Sequence, residues 1–434
     1  MFFLYNIFLI FAGFILKIIA LFHPKIKLFV AGRQLVFETL VSKIKLSDKI
    51  IWFHTASLGE YEQGLPVMEK IKTEYPTHKI VLTFFSPSGF EVRKNNTVAD
   101  VTVYLPLDTR ANAKRFLELA HPDLVFFIKY EYWPNYLNEL KKLQIPTYLI
   151  SGIFRKDQLF FKWYGGFYRK ALDTFNHFFV QNSGSKELLA QLGKNNVTVS
   201  GDTRFDRVVS ILEKNNHLDF ISEFKNNTLT IVVGSSWPKD ESLLVNFINS
   251  TNHTVKFIVA PHNIKSEQIQ QLKNSISKKT ILYSELRTNL DQNVRTGSNQ
   301  NVRTGRDLSL QDFDIFIIDT IGILTKIYSE ADIAYVGGGF GNPGVHNILE
   351  PATFGVPIII GPNYSHFAEA TALVNMEGCI TVSTQKELNE AFENLIQNED
   401  IRHEKGHICS TFVQMNKGAT KSIITYILNK IQKN

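Results

Sequence analysis

Three segments of this sequence combine carboxylates, glycines and aromatic side chains in patterns that suit acid–base chemistry or ligand binding. The first, FHTASLGEY at residues 53–61, predicts a strand, a turn at residues 57–59 and a helix that begins near Glu60. A carboxylate in such a first helical turn can take a proton from an attacking hydroxyl. Alternatively, Glu60 only complements the positive end of the helix dipole. Spacing alone leaves both interpretations open.

The second segment is KYEYWPN at residues 129–135, directly after a continuous apolar run. An acidic residue at the carboxyl end of a buried strand, flanked by aromatic rings, suits a sugar site. Rings stack on sugars and the carboxylate of Glu131 can accept hydrogen bonds from hydroxyls. The alternative is an ordinary loop with packed aromatic side chains.

The third segment is VGGGFGNPGVHNILEP at residues 336–351. It predicts a strand, a glycine-rich loop and a helix that begins near His346 and Asn347, where free backbone N–H groups can hold phosphate. The bare backbone of residues 337–339 can lie against a nucleotide, and Glu350 can accept hydrogen bonds from ribose hydroxyls. The segment lacks the Gly-Lys-Ser/Thr ending of a Walker loop. The alternative is a structural glycine-rich turn.

Weaker signals come from two other strand ends and from one pair of aspartates. Residues 260–262 and 319–322 each end a predicted strand and are candidates for contact with a base or a phosphate. Asp312 and Asp314 have the Asp-x-Asp spacing of metal-dependent sugar transferases. Since they precede a strand, we interpret them as a solvated strand entry and predict no metal site.

The elements that must position these segments are short strands alternating with helical stretches. Most strand candidates are continuous apolar runs, which is typical of parallel strands buried on both faces. They lie at residues 50–56, 80–85, 101–107, 124–128, 147–151, 178–181 and 197–200, and then at 229–233, 256–260, 280–283, 315–319, 333–336 and 357–360. We predict two doubly wound α/β domains with a boundary near residues 201–227, whose strand ends meet at a common cleft.

An apolar run over residues 1–22 precedes these domains and predicts a membrane-anchor helix. Seven of the nine charged residues up to position 50 are basic, which accounts for most of the net charge of +6 and favours contact with anionic lipid. Positive residues after the run place the following domains in the cytoplasm. Lys17 leaves open whether the helix spans the membrane or lies in its interface. A cleaved signal peptide and a buried core helix are the alternatives.

Composition excludes several other classes of protein. Apolar residues make up 44% and charged residues 20%, as in a globular protein, and the two cysteines are too few for a disulfide scaffold or a multi-thiolate zinc site. The basic residues cluster beside the apolar run and are not spread over a recognition surface, so we expect no nucleic-acid partner. A repeat, NVRTG at residues 293–297 and again at 301–305, predicts an inserted surface loop at 290–310.

Taken together, the motifs resemble those of the 3-deoxy-D-manno-octulosonic acid (Kdo) transferases of lipopolysaccharide synthesis. The resemblance covers nearly the whole chain, and its motifs occur in the family's order. They are Gly32-Arg33, residues 54–60, SPSG at 86–89, YLPLD at 104–108, EYWPN at 131–135, GDTRFD at 201–206 and HNILEP at 346–351.

The resemblance implies a fold of GT-B type and an inverting glycosyltransferase that moves Kdo from CMP-Kdo to lipid IVA at the inner membrane, without a cofactor or metal. By position, it implies that Glu60 is the general base and that Glu131 and Arg204 stabilise the transition state. It also implies a set of CMP contacts: Pro261, His262, Ile321, Gly322, Ile323, Asn347, Ile348, Leu349 and Glu350.

Three positions depart from the family pattern. Lys129 replaces an acid two residues before Glu131, no arginine separates Pro261 from His262, and residues 337–340 read GGGF where the family commonly ends in Gly-Gly-Ser. We therefore expect an anchor at 1–22, an acceptor domain at 23–210 and a nucleotide-sugar domain at 211–434. The alternatives are another GT-B enzyme that uses a UDP-sugar, as transferase or epimerase, and an inactive membrane-tethered binding protein.

Overall fold

A computed structural model describes residues 2–287 and 309–431 of the chain. These residues form two compact units. The first comprises the chain up to Arg207 together with the segment from Asn416 onward, and the second comprises Val208–Met415. The loop expected at 290–310, with its repeat at 293–305, falls outside the described residues apart from its last two positions.

The first unit is built on a seven-stranded parallel sheet with the strand order β3-β2-β1-β4-β5-β6-β7. Its central strands are apolar on both faces because helices cover both sides of the sheet. The strands are β1 (Lys49–Thr55), β2 (His78–Phe84), β3 (Val101–Tyr104), β4 (Leu124–Ile128), β5 (Thr147–Gly152), β6 (His177–Val180) and β7 (Val197–Val199).

The helices of the first unit precede or connect these strands. Several begin at a side-chain cap, as at Ser86, Thr109 and Asn182. They are α1 (Phe2–Ile19), α2 (Pro24–Gln34), α3 (Val36–Lys43), α4 (Leu58–Glu74), α5 (Pro87–Arg93), α6 (Arg110–Ala120), α7 (Pro134–Lys142), α8 (Gly166–Leu172), α9 (Ser183–Gln191) and α10 (Thr203–Leu212), with a 3-10 turn at Leu159–Phe161. Helix α10 begins in the first unit and ends in the second.

The second unit repeats the architecture with a seven-stranded parallel sheet in the order β10-β11-β9-β8-β12-β13-β14. Its strands are β8 (Thr230–Ser236), β9 (Lys256–Pro261), β10 (Thr280–Leu282), β11 (Ile315–Ile317), β12 (Ile333–Val336), β13 (Ile358–Ile360) and β14 (Cys379–Thr381). Both sheets are parallel and doubly wound, so the predicted fold class is confirmed.

The remaining helices range from four to 18 residues, and two 3-10 turns lie at Leu310–Asp312 and Tyr328–Glu330. They are α11 (Asp219–Lys225), α12 (Pro238–Ser250), α13 (Ser266–Ser275), α14 (Leu324–Ile327), α15 (Leu349–Thr353), α16 (Ala368–Asn375), α17 (Gln385–Gln397), α18 (Glu399–Asn416) and α19 (Ala419–Ile431).

The chain returns to the first unit at its C-terminal end, whereas the sequence analysis assigned all of 211–434 to the second domain. In α19, Ile423 and Ile427 are buried in the core of the first unit, and Tyr426 stacks on His177 with ring centroids 4.1 Å apart. Asp206 accepts hydrogen bonds from the backbone N–H groups of Gly418 and Thr420 at 2.6 and 2.7 Å. These contacts fix α19 where the chain also leaves the unit.

Helix α2 is tied to the first sheet by the Gly32-Arg33 pair. A Cβ at Gly32 would meet the Tyr104 ring at 2.2 Å, so only glycine allows this approach. The Arg33 guanidinium donates to the carbonyl oxygens of Leu105 and Phe85 and lies 3.6 Å from the centre of the Phe29 ring. Burial lowers the pKa of Arg33 to about 9.

Among the described residues, one helix is long and apolar enough to cross a membrane, and it is α1. None of its side chains is buried.

Candidate active site and nucleotide-binding segments

The two carboxylates predicted for catalysis follow neighbouring strands of the first sheet. Strand β1 pairs in parallel with β4, and Thr55 ends β1 as Ile128 ends β4. The carboxyl ends of parallel strands share one edge of a sheet, so the turns that carry Glu60 and Glu131 lie at the same edge.

Glu60 occupies the first turn of α4, as predicted, although this helix begins two residues earlier at Leu58. The Ser57 hydroxyl donates a hydrogen bond to Glu60 Oε2. The side chain is half-buried. Ser57 thus holds the carboxylate at the helix start, in a position that suits both the base and the helix-dipole interpretations.

Glu131 is nearly buried and is held by two donors on one oxygen. His54 Nε2 lies 3.0 Å from Glu131 Oε2, and Trp133 Nε1 lies 2.7 Å from the same atom. On the other side of its ring, His54 Nδ1 lies 2.8 Å from Thr83 Oγ1, which also contacts Trp52 Nε1 at 2.8 Å. His54 and Thr83 are fully buried, so water does not compete for these bonds.

The donors in this network all point toward the carboxylate. An indole N–H only donates, so Thr83 Oγ1 accepts from Trp52 and keeps its own O–H for His54 Nδ1 at 2.8 Å or for Phe53 O at 3.4 Å. His54 then carries its proton on Nε2 and donates to Glu131, which is the arrangement that avoids placing two acceptors 3.0 Å apart. The protonated Nε2 cannot accept, so the Trp133 N–H also donates to Glu131. Two N–H groups therefore donate to the same carboxylate oxygen of Glu131.

An open cavity of about 580 Å³ lies against Glu131. Aromatic rings make up most of its wall, as the sequence analysis expected of a sugar site. Besides Glu131, the lining residues are Phe85, Tyr130, Tyr132, Trp133, Asp157, Gln158, Leu159, Phe160 and Tyr168.

Arg204 is fixed by a buried acid at the start of α10. Its Nε and Nη2 atoms lie 2.9 and 2.8 Å from Asp202 Oδ2, while Gln63 donates to Asp202 Oδ1 at 3.0 Å. Burial by itself would raise the pKa of Asp202, but the positive charge of Arg204 and these hydrogen bonds lower it below its usual value. Arg204 is therefore held by an ionised partner.

Tyr130 lies within electrostatic range of both Glu60 and Arg204. Burial raises the pKa of its hydroxyl, and the charges that act on it come from Arg155, Glu60, Arg204 and Asp202. The first unit thus brings all three predicted catalytic residues to one edge of its sheet. Lys129, which precedes Tyr130, has a left-handed backbone with φ of 66°.

In the second unit, the predicted nucleotide contacts follow three strands at one edge of the sheet. Pro261 ends β9 and His262 follows it, residues 321–323 lie between β11 and α14, and residues 347–350 follow β12 and the glycine-rich loop. A hydrogen bond of 2.7 Å from Thr325 Oγ1 to Glu350 Oε2 links the second of these segments to the third.

The side chains of the predicted contacts differ in exposure. Ile321 is 79% exposed and Gly322 has φ of 99° with open space beside it. By contrast, Ile348 and Leu349 are buried, and Leu349 N donates to Asn347 Oδ1 at 3.1 Å. Both oxygens of Glu350 have partners, because Asn347 Nδ2 donates to Oε1 at 3.0 Å.

Three flat rings stack beside the glycine-rich loop. The Trp237 and His262 rings are 4.6 Å apart, the His262 and His346 rings are 4.5 Å apart, and Trp237 Nε1 donates to His346 Nε2 at 2.9 Å. Burial lowers the pKa of His262, and burial together with His262 lowers the pKa of His346 to about 4. Both imidazoles are therefore neutral at pH 7 and do not replace the missing arginine as a cation.

The glycines of residues 337–339 serve backbone packing within the second unit. A Cβ at Gly337 would meet the backbone oxygen of Ser235 at 2.4 Å, and one at Gly339 would meet Gly361 Cα at 2.7 Å. These glycines allow the loop to pass against neighbouring strand ends of its own unit.

The helix expected near His346 and Asn347 begins instead at Leu349 and is five residues long. Residues 345 and 346 are not free to start it, because Val345 N donates to Asn363 O and His346 N donates to Gly337 O. A helix start that could hold phosphate was therefore predicted wrongly at this point.

Asp314 has a structural partner, since its Oδ2 accepts a hydrogen bond from the backbone N–H of Lys279 at 3.3 Å. This matches the strand entry that the sequence predicted. Within residues 2–287 and 309–431, no cluster of three His, Cys, Asp or Glu side chains is arranged to hold a metal ion.

Two residues of the second unit, Trp237 and Asp240, were not predicted from the sequence. Trp237 contributes the outer ring of the stack, and Asp240 is a buried carboxylate that accepts hydrogen bonds from Trp237 N, Gly338 N and the Tyr335 hydroxyl, at 2.8–2.9 Å. The signal was present as WPKD at 237–240 after a strand, a pattern typical of a capped helix start.

The two parallel sheets define a protein of GT-B type. A UDP-GlcNAc 2-epimerase from Neisseria meningitidis has this fold with a TM-score of 0.58 at 16% identity, covering 88% of this chain and all of the other. MurG from Acinetobacter baumannii gives a TM-score of 0.52 at 13% identity, covering 88% of this chain and 99% of the other. At these identities, the similarity shows the fold alone.

The sequence relatives define the family more narrowly. Residues 32–207 match the family model described as 3-deoxy-D-manno-octulosonic-acid transferase. The chain is 29% identical over 396 residues to the transferase of that name from Chlamydophila psittaci, covering 87% of this chain and 85% of the relative. It is 25% identical to the one from Haemophilus influenzae, covering 88% of each. The resemblance to the Kdo transferase family is thus confirmed over most of the chain.

Proposed function

We propose that this chain is an inverting glycosyltransferase that moves Kdo from CMP-Kdo to lipid IVA. The observation that carries the proposal is the placement of Glu60 and Glu131 after adjacent parallel strands, within the residues that match the Kdo transferase family. The relatives named as Kdo transferases support the reaction class, and the aromatic cavity beside Glu131 supports a sugar substrate.

In the proposed reaction, the bond between the anomeric carbon of Kdo and the CMP phosphate breaks as an acceptor hydroxyl attacks from the opposite face. The hydroxyl proton passes to the Glu60 carboxylate, and CMP leaves with the bonding electron pair. As CMP departs, the anomeric carbon gains positive charge and the CMP phosphate gains negative charge. The carboxylate of Glu131 stabilises the first charge, and the guanidinium of Arg204, held by Asp202, stabilises the second.

The second unit is the proposed site of CMP. Glu350 offers acceptors to ribose hydroxyls, the exposed turn at residues 321–323 and the ring of His262 offer surfaces for the base or phosphate, and residues 347–349 complete the proposed set of contacts. The proposal includes neither a cofactor nor a divalent metal and no nucleic-acid partner. A chelator should therefore leave CMP binding unchanged.

Residues 1–22 are the proposed attachment to the bacterial inner membrane, where the lipid acceptor resides. The apolar surface of α1 and the basic residues that follow it support this assignment. The positive charge after the helix favours the cytoplasmic side for both units.

The deciding experiment is incubation of the full-length protein in anionic vesicles with CMP-Kdo and lipid IVA, followed by mass analysis of the lipid. Addition of Kdo to the lipid with release of CMP is the expected result. UDP-GlcNAc is tested in parallel, because structural neighbours of this fold act on that nucleotide sugar. Turnover of UDP-GlcNAc, with none of CMP-Kdo, would replace the proposal by the epimerase or UDP-sugar alternative.

A further inference from the structure

The apolar helix α1 is covered along one side by the first unit. Its partly covered residues recur with helical spacing and form a single stripe, while the other positions are exposed. The stripe consists of Tyr5, Asn6, Leu9, Ala12, Gly13, Leu16 and the following Ala20. It runs from the first turn of the helix to its last, so α1 lies along the surface of the unit and does not project from it.

Specific contacts hold the N-terminal end of α1 on that surface. The Tyr5 hydroxyl donates to Asp108 Oδ2 at 2.8 Å, and Asn6 Oδ1 accepts from the backbone N–H of Arg110 at 2.8 Å. The Phe2 ring meets the Phe167 ring at 4.7 Å. Asp108 is itself buried and also accepts from two backbone N–H groups at the start of α7, so this attachment point is part of the folded unit.

The middle and the C-terminal end of α1 also contact the same unit. A Cβ at Gly13 would lie 3.1 Å from Leu107 Cδ1, and residues of α1 as far as Lys17 line a cavity of about 450 Å³ with α2 and the loop at 106–109. A helix of 18 residues is about 27 Å long, so a spanning orientation would place one end far from the cytoplasmic surface. Both ends of α1 touch the α/β unit, whose buried polar groups cannot enter the hydrocarbon core.

The face of α1 turned away from the unit is apolar along its whole length. Its exposed side chains include Phe3, Leu4, Phe8, Phe11, Phe14 and Ile18. A contiguous exposed apolar surface of this kind marks a site of interaction with another apolar phase or partner.

Exposed aromatic and basic side chains near α1 identify a lipid bilayer as the occupant of this face. Trp163 is 90% exposed and Tyr164 is half-exposed, and both lie just before α8, whose Phe167 contacts α1. Tryptophan and tyrosine concentrate at the membrane–water interface. Lys17, Lys25 and Lys27 are exposed as well and complement anionic headgroups.

We propose that α1 lies in the plane of the membrane, together with Trp163 and Tyr164, and does not span the bilayer. This inference rests on the membrane attachment stated under the proposed function and specifies its geometry. Attachment of this kind holds the first unit directly against the lipid surface, with α7, the helix that follows the loop of Glu131, linked to α1 through the Asn6–Asn135 contact at 3.3 Å.

A disulfide trap tests the orientation in the membrane-bound, full-length protein. Gly13→Cys combined with Leu107→Cys places two thiols within reach if α1 keeps its contact with the unit. The native cysteines, Cys379 and Cys409, are buried. The control pair, Phe11→Cys with Leu107→Cys, has one thiol on the exposed face. We expect the first pair, and not the control, to crosslink in the membrane fraction.

Membrane-bound protein in which the first pair fails to crosslink would overturn the in-plane geometry while leaving membrane attachment intact. Protein that never sediments with membranes would overturn the attachment itself. A second measurement uses anionic vesicles: Trp163→Ala should weaken binding severalfold, whereas Met415→Ala, at an apolar site in the second unit that is 75% exposed, should not. Equal binding of both variants would remove Trp163 from the membrane surface.

Discussion

His54 Nε2 donates to Glu131 Oε2 across 3.0 Å, and this bond joins the end of β1 to the loop after β4. His54 does not line the cavity and contacts Glu131 and Trp133, which do, so it is a positioning residue. Its own orientation is set by Thr83, whose Oγ1 accepts a hydrogen bond from Trp52 Nε1 and is hydrogen-bonded to His54 Nδ1, each at 2.8 Å.

Replacing His54 by alanine should lower turnover because Glu131 loses one of its two donors. A hydrogen bond to a charged group contributes about 1.5–3 kcal/mol, which corresponds to about a tenfold to 150-fold change in rate. Steady-state kinetics with CMP-Kdo measures it, and His54→Gln should recover part of the loss. His177→Gln is the matched control, since His177 is also buried and pairs with a threonine, Thr198, at 2.9 Å. Equal losses in the two variants would show a general folding effect.

Glu60→Gln should reduce turnover by roughly 10²–10⁴-fold, the usual contribution of a general base. The amide keeps the size of the side chain but cannot take the acceptor proton, while CMP affinity should barely change. Glu62→Gln provides the control on the same helix, because Glu62 forms ion pairs with Arg93 and Arg207 instead. If folded Glu60→Gln protein works at a normal rate, the helix-dipole interpretation holds and Glu131 becomes the candidate base.

Glu350→Ala should weaken CMP binding, measured by calorimetry, because ribose hydroxyls lose their proposed acceptor and Thr325 and Asn347 lose theirs. Glu390→Ala, which removes an exposed ion pair with Lys386, should leave binding unchanged. The same titrations with a chelator test the absence of a metal. Binding that disappears in chelator would contradict the metal-free proposal, as would full-strength binding by Glu350→Ala.

Removal of residues 2–22 should release the protein into the soluble fraction while CMP binding persists. The deletion uncovers the surface under α1 and removes the Tyr5 donor from buried Asp108, so some loss of stability accompanies it. Cell fractionation with an immunoblot measures release. Truncated protein that still sediments with membranes would show that the two units bind lipid without α1.

Acid should destabilise the second unit through His346. Its pKa is about 4 in the folded protein and about 6.5 when unfolded, so between these values the unfolded chain binds a proton that the folded one excludes. Stability is therefore complete above pH 6.5 and falls as the pH drops toward 4. Since the ring is partly exposed, we expect a loss on the order of 1 kcal/mol between pH 7 and pH 5.

Denaturant unfolding of wild type and His346→Gln at these two pH values measures this loss. Glutamine can still accept the Trp237 N–H but does not titrate, so the variant should lose less stability on acidification. The same pH dependence in both proteins would assign the effect to other groups.

The sheets were predictable from the sequence because buried parallel strands are continuous apolar runs, as at 124–128 and 333–336. Strand β14 was missed because Cys379–Thr381 is three residues long and only its first residue is buried. The catalytic candidates were predictable because each lies within a few residues of the end of a strand. The ring stack was not, because Trp237 and His346 are 109 positions apart and meet only through the pairing of β8 with β12. Likewise, the assignment of α19 depends on tertiary packing, not on a local pattern.

The clamp that Asp206 forms on Gly418 N and Thr420 N sits where the chain leaves the first unit and where it comes back. The second unit is therefore an insertion between two segments of the first unit that Asp206 holds next to each other. A short glycine linker from Arg207 to Asn416 could therefore replace the second unit and leave α19 in the core of the first. The first unit could then be produced, and its lipid binding measured, without the second unit.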